Sequence, residues 1–267
     1  MSYNTIILTK EDGVATLTLN RPDTLNAWND EMGKESLLAM EEIRQDKDVR
    51  VLILTGAGRG FSSGADLTAM GQLGKVSPDK HRRSTLSTLP GVLTLAGELR
   101  DLDRPTIAAV NGVAAGAGFS HALACDIRIA SDQARFSQIF VKRALIPDAG
   151  STFFLTKLVG TAKACELMYT GDMINAAEAE RLGIVNKVVP HDQLMNETMA
   201  LAKRIANGPP LTIELIKRAI YKGLTENDLW HQIHYEWHLQ SLVVATKDFK
   251  EGVMSFLEKR EPNFMGQ

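Results

Sequence analysis

The 267-residue chain reads as an α/β protein, a core of buried strands alternating with helices followed by a helical tail. Three observations carry that reading. First, Val51-Leu52-Ile53-Leu54-Thr55, Thr106-Ile107-Ala108-Ala109-Val110 and Ile127-Arg128-Ile129-Ala130 are short apolar runs of the kind that form strands buried on both faces. Second, the first two runs leave through loops of Gly and Ala, with helical spacing around them. Third, the pattern from Thr161 onward is mainly helical.

Taken in order, Thr5 to Asn20 alternates apolar and polar residues around Glu11-Asp12-Gly13, which predicts a β-hairpin turning at Asp-Gly. Met32 to Gln45 has helical spacing, and the Val51 run closes in Gly56-Ala57-Gly58. Residues 71–90 mix Gly, Ser, Pro and basic residues and are expected to form a helix or mobile loop, suited to a substrate-facing lid. The Thr106 run leads through Asn111-Gly112 and small residues into a helical stretch, Phe119 to Cys125. Ala176 to Leu182, Gln193 to Ala206 and Leu211 to Leu224 each offer an apolar face, with breaks at Gly183 and Gly208-Pro209-Pro210. With no internal repeat or long linker, a core over 1–200 and a helical region over 201–267 are expected to pack together.

Lys and Arg total 30 against 32 Asp and Glu, a net charge of -2, which gives no general attraction for nucleic acid or an anionic membrane. An anionic ligand must therefore be held locally. No apolar run approaches the roughly 20 residues of a membrane-spanning helix, and the first residues lack the pattern of a secretory or transit signal, so the cytoplasm is the expected location. Cys125 and Cys165 lie in apolar or small-residue runs and read as buried free thiols.

Two segments have the bareness that backbone chemistry needs. Gly60-Phe61-Ser62-Ser63-Gly64-Ala65-Asp66-Leu67 leaves a strand through small residues; alone, such a stretch is usually just a turn. Asn111-Gly112-Val113-Ala114-Ala115-Gly116-Ala117-Gly118-Phe119 enters a helix whose first N–H groups and dipole can stabilise an oxyanion; alone, it is equally tight packing. Together, two such strand ends can aim two N–H donors at one carbonyl oxygen. Asp148, in Leu145-Ile146-Pro147-Asp148-Ala149-Gly150-Ser151, approaches a tight turn through apolar residues. It reads either as a partly desolvated base or as the cap of a helix starting near Ser151. His121 beside Ser120 invites a nucleophile and base, but neighbours on a helix point about 100° apart, and a structural His is favoured. His231, His234 and His238 have helical spacing without a carboxylate or thiol partner, which favours an exposed face or interface over a metal site.

Asn20-Arg21-Pro22, Leu25-Asn26-Ala27, Phe61 to Leu67 and Ala109 to Gly118 together resemble the enoyl-CoA hydratase/isomerase (crotonase) superfamily, and the likeness does not end there. It continues in Cys125-Asp126, Ile146 to Gly150, Thr170-Gly171, Ala176 to Val188 and Phe256 to Arg260, nearly the whole chain. The resemblance implies a spiral of ββα repeats, a C-terminal helical region supporting a homotrimer or dimer of trimers, and an acyl-CoA substrate. It implies no metal and no separate cofactor, coenzyme A being part of the thioester. Ala65 and Ala117 fall where the family supplies its oxyanion N–H groups, although Gly is usual at the second position. Leu25, Ala27, Ser63, Ala65, Asp66, Leu67 and Ala117 match walls of the CoA channel, and Phe256 and Lys259 match positions reaching CoA from a neighbouring subunit. Lys259 is equally readable as a solvated surface charge. Hydratases of the family use two glutamates, and the matching residues here are Ser120 and Phe140. Some isomerases of the family place a single acid on the turn that holds Asp148. The resemblance therefore implies an enoyl-CoA isomerase with Asp148 as acid and base; an unusual hydratase or hydrolytic lyase and a non-catalytic acyl-CoA binder are the alternatives.

Overall fold

The structure, a computed structural model, describes residues 3–66 and 89–267. The hairpin forms as expected: β1 (Ile6–Glu11) and β2 (Val14–Leu19) pair antiparallel, with Glu11 opposite Val14. Asp12 and Gly13 between them both have positive φ, 49° and 77°, as the two-residue turn matching strand twist requires. Helix α1 (Asp30–Gln45) is capped by the Asn29 side chain, which accepts from Met32 N–H.

Three successive turns of chain then repeat one plan. β3 (Val51–Gly56) is followed by the short β4 (Gly60–Ser62), and α2 (Gly91–Asp101) is the next described helix. β5 (Thr106–Val110) is followed by β6 (Val113–Ala115) and α3 (Ala117–Ala124); β7 (Ile127–Ser131) by β8 (Arg135–Ser137), a 3-10 turn at Ile139–Arg143, and α4 (Ser151–Thr170). The longer strands stack into a six-stranded sheet with β10 (Lys187–Val189) at one edge, in the order β1-β2-β3-β5-β7-β10. Only its β1/β2 pair is antiparallel. The short strands make a second sheet with β9 (Ile174–Asn175), in the order β4-β6-β8-β9. This is the expected ββα spiral.

Continuous apolar runs are required because the large sheet is covered on both faces. Leu52 and Leu54 point into one core cluster with Leu17, Met40 and Leu99, while Val51 and Ile53 point into another with Ala202 and Ala206 of α6 (Leu194–Ala206). Each such side chain, fully buried, contributes about 1.5–3 kcal/mol. Arg128 is tolerated inside β7 because its guanidinium donates to the Ile184 and Cys125 carbonyls.

After α5 (Ala176–Arg181) and β10, the chain continues through α6, α7 (Pro210–Gly223), α8 (Leu229–Val244) and α9 (Lys247–Glu258). The stretch after Thr161 is mainly helical, as expected, and also includes β9 and β10, the latter an edge strand of the main sheet; the helix that spans residues 200 and 201, α6, packs on that sheet. Strands of three residues are too short to show a period. The region read as a helix or loop over 71–90 lies outside the described residues apart from Leu89 and Pro90. Cys125 is buried and Cys165 half-buried, both as free thiols. Among the described residues, no helix is long and apolar enough to cross a membrane.

Candidate active site

The site grows from the place where the chain beyond β4 runs between two neighbours. On one side Trp28 forms a parallel bridge with Ala65: Trp28 N–H donates to the Gly64 carbonyl and Asp66 N–H donates to the Trp28 carbonyl, each at 2.8 Å. In such a bridge the central residue's own N–H and C=O point to the opposite edge. For Ala65 that edge is the side of β6, because β4 pairs parallel with β6 there. Across the gap stands Ala117, the first residue of α3, whose N–H has no acceptor within its helix. The two bare N–H groups thus come from adjacent chains, the second with the positive end of a helix dipole behind it.

Two glycines allow that approach. Gly64 has φ +94°, and a Cβ there would stand 2.8 Å from the Ala115 carbonyl oxygen and 3.5 Å from Ala117 N. Gly116 has φ 52° and ψ -129°, a conformation that L-residues avoid. Side chains clamp the surrounding loops. Asn26, fully buried, donates to the carbonyls of Ala57, Gly60 and Phe61 and accepts from Arg21 N–H. Asn111 donates to the carbonyls of Gly58 and Gly60.

Ser63, Ala65, Ala117 and Asp148 line one pocket of about 70 Å³, together with Gly64, Gly116, Ile139, Phe140, Arg143 and Leu145. Asp148 is half-buried, and burial pushes its carboxyl above the ordinary carboxylate range. Its Oδ1 is enclosed and has no hydrogen-bond partner among the described residues. The capping alternative does not hold: the residue capping α4 is Gly150, no side chain caps the helix, and Ser151 N–H is taken by the Asp148 backbone carbonyl at 3.0 Å. The turn is sharp, with Ala149 and Gly150 both at positive φ, 47° and 75°.

Other residues expected at the site stand farther out. Leu25 is half-buried, its side chain about 3.3 Å from where a Cβ on Gly60 would stand, and its carbonyl accepts from Ser63 N–H. Ala27 is buried and its carbonyl accepts from Arg21, whose guanidinium also pairs with Asp66 at 3.0 Å. Asp66 is thus held by Arg21, a residue in the sequence motif without an assigned role there. Leu67 lies outside the described residues. Phe256 on α9 and Lys259 at its C-terminal cap are exposed and do not line this pocket within the single chain. The sequence reading also missed Ile139 and Arg143, which follow no motif and reach the pocket only through the 3-10 turn, and it gave Leu145 no place in the pocket wall.

At the two positions matching the hydratase glutamates, the Ser120 hydroxyl donates to the Gly116 carbonyl at 3.2 Å, and Phe140 places an aromatic ring in the pocket wall. His121 is fully buried against Trp28, ring centroids 4.5 Å apart, and its Nε2 lies 2.6 Å from the Val92 carbonyl. Burial holds its pKa down at about 4, so it is a neutral structural group bonded to the start of α2. His231, His234 and His238 are exposed on α8, and no cluster of three metal-ligating side chains occurs among the described residues.

Residues 9–267 match the family model described as enoyl-CoA hydratase/isomerase. The chain is 39% identical over 257 residues to a 1,2-epoxyphenylacetyl-CoA isomerase of Escherichia coli (strain K12), covering 96% of this chain and 97% of that relative. It is also 39% identical over 264 residues to a short-chain-enoyl-CoA hydratase of Clostridium acetobutylicum, covering 98% and 97%. Among solved structures, an enoyl-CoA hydratase from Bacillus anthracis superimposes with a TM-score of 0.91 at 34% identity, covering 99% of this chain and 100% of that one.

Proposed function

Since the chain belongs to the enoyl-CoA hydratase/isomerase family, we propose that it is an enoyl-CoA isomerase, moving a carbon–carbon double bond along an acyl-CoA thioester. One observation carries this reading. In the pocket that holds the Ala65 and Ala117 backbone, the only carboxylate among the described lining residues is Asp148, and an aromatic ring stands at one glutamate position.

The mechanism follows from that arrangement. The Asp148 carboxylate removes a proton from C2 of a 3-enoyl thioester, and the C–H electron pair moves into the thioester carbonyl to give a dienolate. The carbonyl oxygen, now negative, accepts hydrogen bonds from Ala65 N–H and Ala117 N–H, each worth roughly 2.7–4 kcal/mol in the transition state. Protonated Asp148 returns the proton at C4, the enolate collapses, and the double bond ends between C2 and C3. A raised pKa suits this task, because one group must serve as base and then as acid near neutral pH. The cycle is redox-neutral and uses no cofactor beyond the coenzyme A of the substrate.

The acyl-CoA is proposed to lie along Leu25, Ala27, Ser63, Asp66 and Leu67, with Phe256 and Lys259 meeting CoA from a neighbouring subunit. Support for a homotrimer or dimer of trimers comes from α8 and α9, which expose Trp230, Trp237, Phe256 and Leu257 at 66% or more. A relative named as a hydratase favours a second reading, water addition by Asp148 alone. Parallel incubations with a 3-enoyl-CoA and with its 2-enoyl isomer in oxygen-18 water separate the two: conjugated 2-enoyl thioester without label from the first supports isomerisation, while labelled 3-hydroxyacyl-CoA from the second supports hydration. Binding of both CoA esters with no product from either would make the chain an acyl-CoA binder.

A further inference from the structure

Phe140 does more in this pocket than replace an acid. The residue is 7% exposed, and its ring tip lies 3.7 Å from where a Cβ on Gly116 would stand, so the ring leans over the backbone that leads into Ala117 N–H. It is presented by a short, closed turn: Leu145 N–H donates to the Phe140 carbonyl at 3.1 Å and Ala144, at φ 54°, ends the 3-10 segment. The same turn supplies Ile139, and Leu145 follows it into the pocket wall. Asp148 opens into that wall with one oxygen enclosed and unpartnered among the described residues.

We infer that Phe140, backed by Leu145, is the specificity-determining residue of this site: its ring occupies the approach a water molecule would take to the bound enoyl group, leaving Asp148 only the substrate's own protons to move. The inference rests on the isomerase reading. Hydration requires the water oxygen to bond to C3 as a base takes one of its protons and C2 gains a proton, the other water proton staying on the new hydroxyl. Isomerisation requires only that Asp148 carry one proton from C2 to C4. A wall of Ile139, Phe140 and Leu145 opposes the first and leaves the second untouched. The same wall shields one carboxylate oxygen from solvent, in keeping with its raised pKa. Charged groups do not compete for that role: of the described lining residues on the β4 end, the α3 start and the 3-10 turn, only Arg143 is charged, and no cation lies within 4.0 Å of Asp148 among the described ion pairs.

The test uses the full chain with a short-chain 3-enoyl-CoA and its 2-enoyl isomer in oxygen-18 water, comparing wild type, Phe140→Ala and Phe140→Leu. Phe140→Ala is expected to form labelled 3-hydroxyacyl-CoA where wild type forms none. Its isomerisation kcat falls tenfold or more with a smaller change in KM, and the acidic limb of its pH profile moves toward the ordinary carboxylate range. Phe140→Leu restores the wild-type product ratio and pH profile. Leu145→Ala, at a position 41% exposed, gives the same two shifts in smaller measure if Phe140→Ala does not fold. A folded Phe140→Ala enzyme with wild-type products and a wild-type pH profile overturns the inference. Failure of the isomerase reading is visible separately, as wild type that leaves the 3-enoyl-CoA unchanged, and it removes the inference as well.

Discussion

Ala117→Pro isolates one of the two proposed oxyanion donors. A backbone N–H cannot be removed by changing a side chain, but proline lacks it, and position 117 is where a helix tolerates proline. Ala117 is the first residue of α3, so its N–H supports no intrahelical bond, and proline's fixed φ suits the first helical turn. The preceding residue must avoid helical backbone. Gly116, at φ 52° and ψ -129°, is the mirror image of an extended conformation, and achiral glycine meets the proline ring equally well from either hand. The fold is therefore expected to survive. Losing one such donor costs roughly 2.7–4 kcal/mol of transition-state stabilisation. At about 1.4 kcal/mol per decade, kcat for 3-enoyl-CoA isomerisation falls by two to three orders of magnitude. Ala117→Gly keeps the N–H and is expected to stay within tenfold of wild type. Circular dichroism and Tm check the fold, and equilibrium binding of free CoA checks the rest of the site. A folded Ala117→Pro protein within tenfold of wild-type kcat would show that this N–H does not hold the developing charge.

Asp148→Asn is expected to lower turnover by about 10²–10⁴-fold, the usual worth of a positioned acid and base, while raising stability at neutral pH. Because the folded-state pKa is raised, the stabilising contribution of the protonated acid is complete below the unfolded pKa near 3.9 and is lost as pH rises through the folded value. Urea titrations should show the variant's advantage growing with pH over that window; unchanged turnover would dismiss Asp148 as the base. His121 has the opposite linkage. Its pKa falls from 6.5 to about 4 on folding, so its contribution is present above 6.5 and is lost as pH falls toward 4, by up to roughly 3 kcal/mol. His121→Gln, which keeps a donor for Val92, should flatten that part of the stability profile without changing the isomerisation pH optimum. Lys217, 8% exposed on α7, pairs with Asp126 at 3.0 Å and donates to the Leu99 and Arg104 carbonyls. Lys217→Ala is expected to cost about 1.5–3 kcal/mol, because Asp126 loses its cation but still accepts from Thr106 N–H, the Thr106 hydroxyl and the Tyr221 hydroxyl; the absence of a measurable urea-derived loss would contradict that.

What the sequence made legible follows the length and burial of each element. The hairpin is readable because Asp12-Gly13 accepts two positive φ values between alternating strands, and β3 and β5 because both of their faces are buried. β4, β6 and β8 are not, since three residues show no period, and β4 meets β6 through a register shift. The bare segments around Ala65 and Ala117 announce themselves by composition, whereas Ile139, Arg143 and Leu145 converge on Asp148 through left-handed backbone at Ala144, a residue type that gives no warning of it. Leu25, Asn26, Ala144 and Ala149 all carry positive φ in the loops that build the site, and each non-glycine residue so held costs roughly 1–2 kcal/mol. Such strain persists only where the surroundings overdetermine it. Here Asn26 and Asn111 clamp the same Gly60 carbonyl from two loops, and Arg21 ties Ala27 to Asp66. These side chains touch neither donor nor acid, yet they fix the backbone on which both N–H groups depend. The proposed chemistry rests on backbone that small residues permit and buried amides hold still.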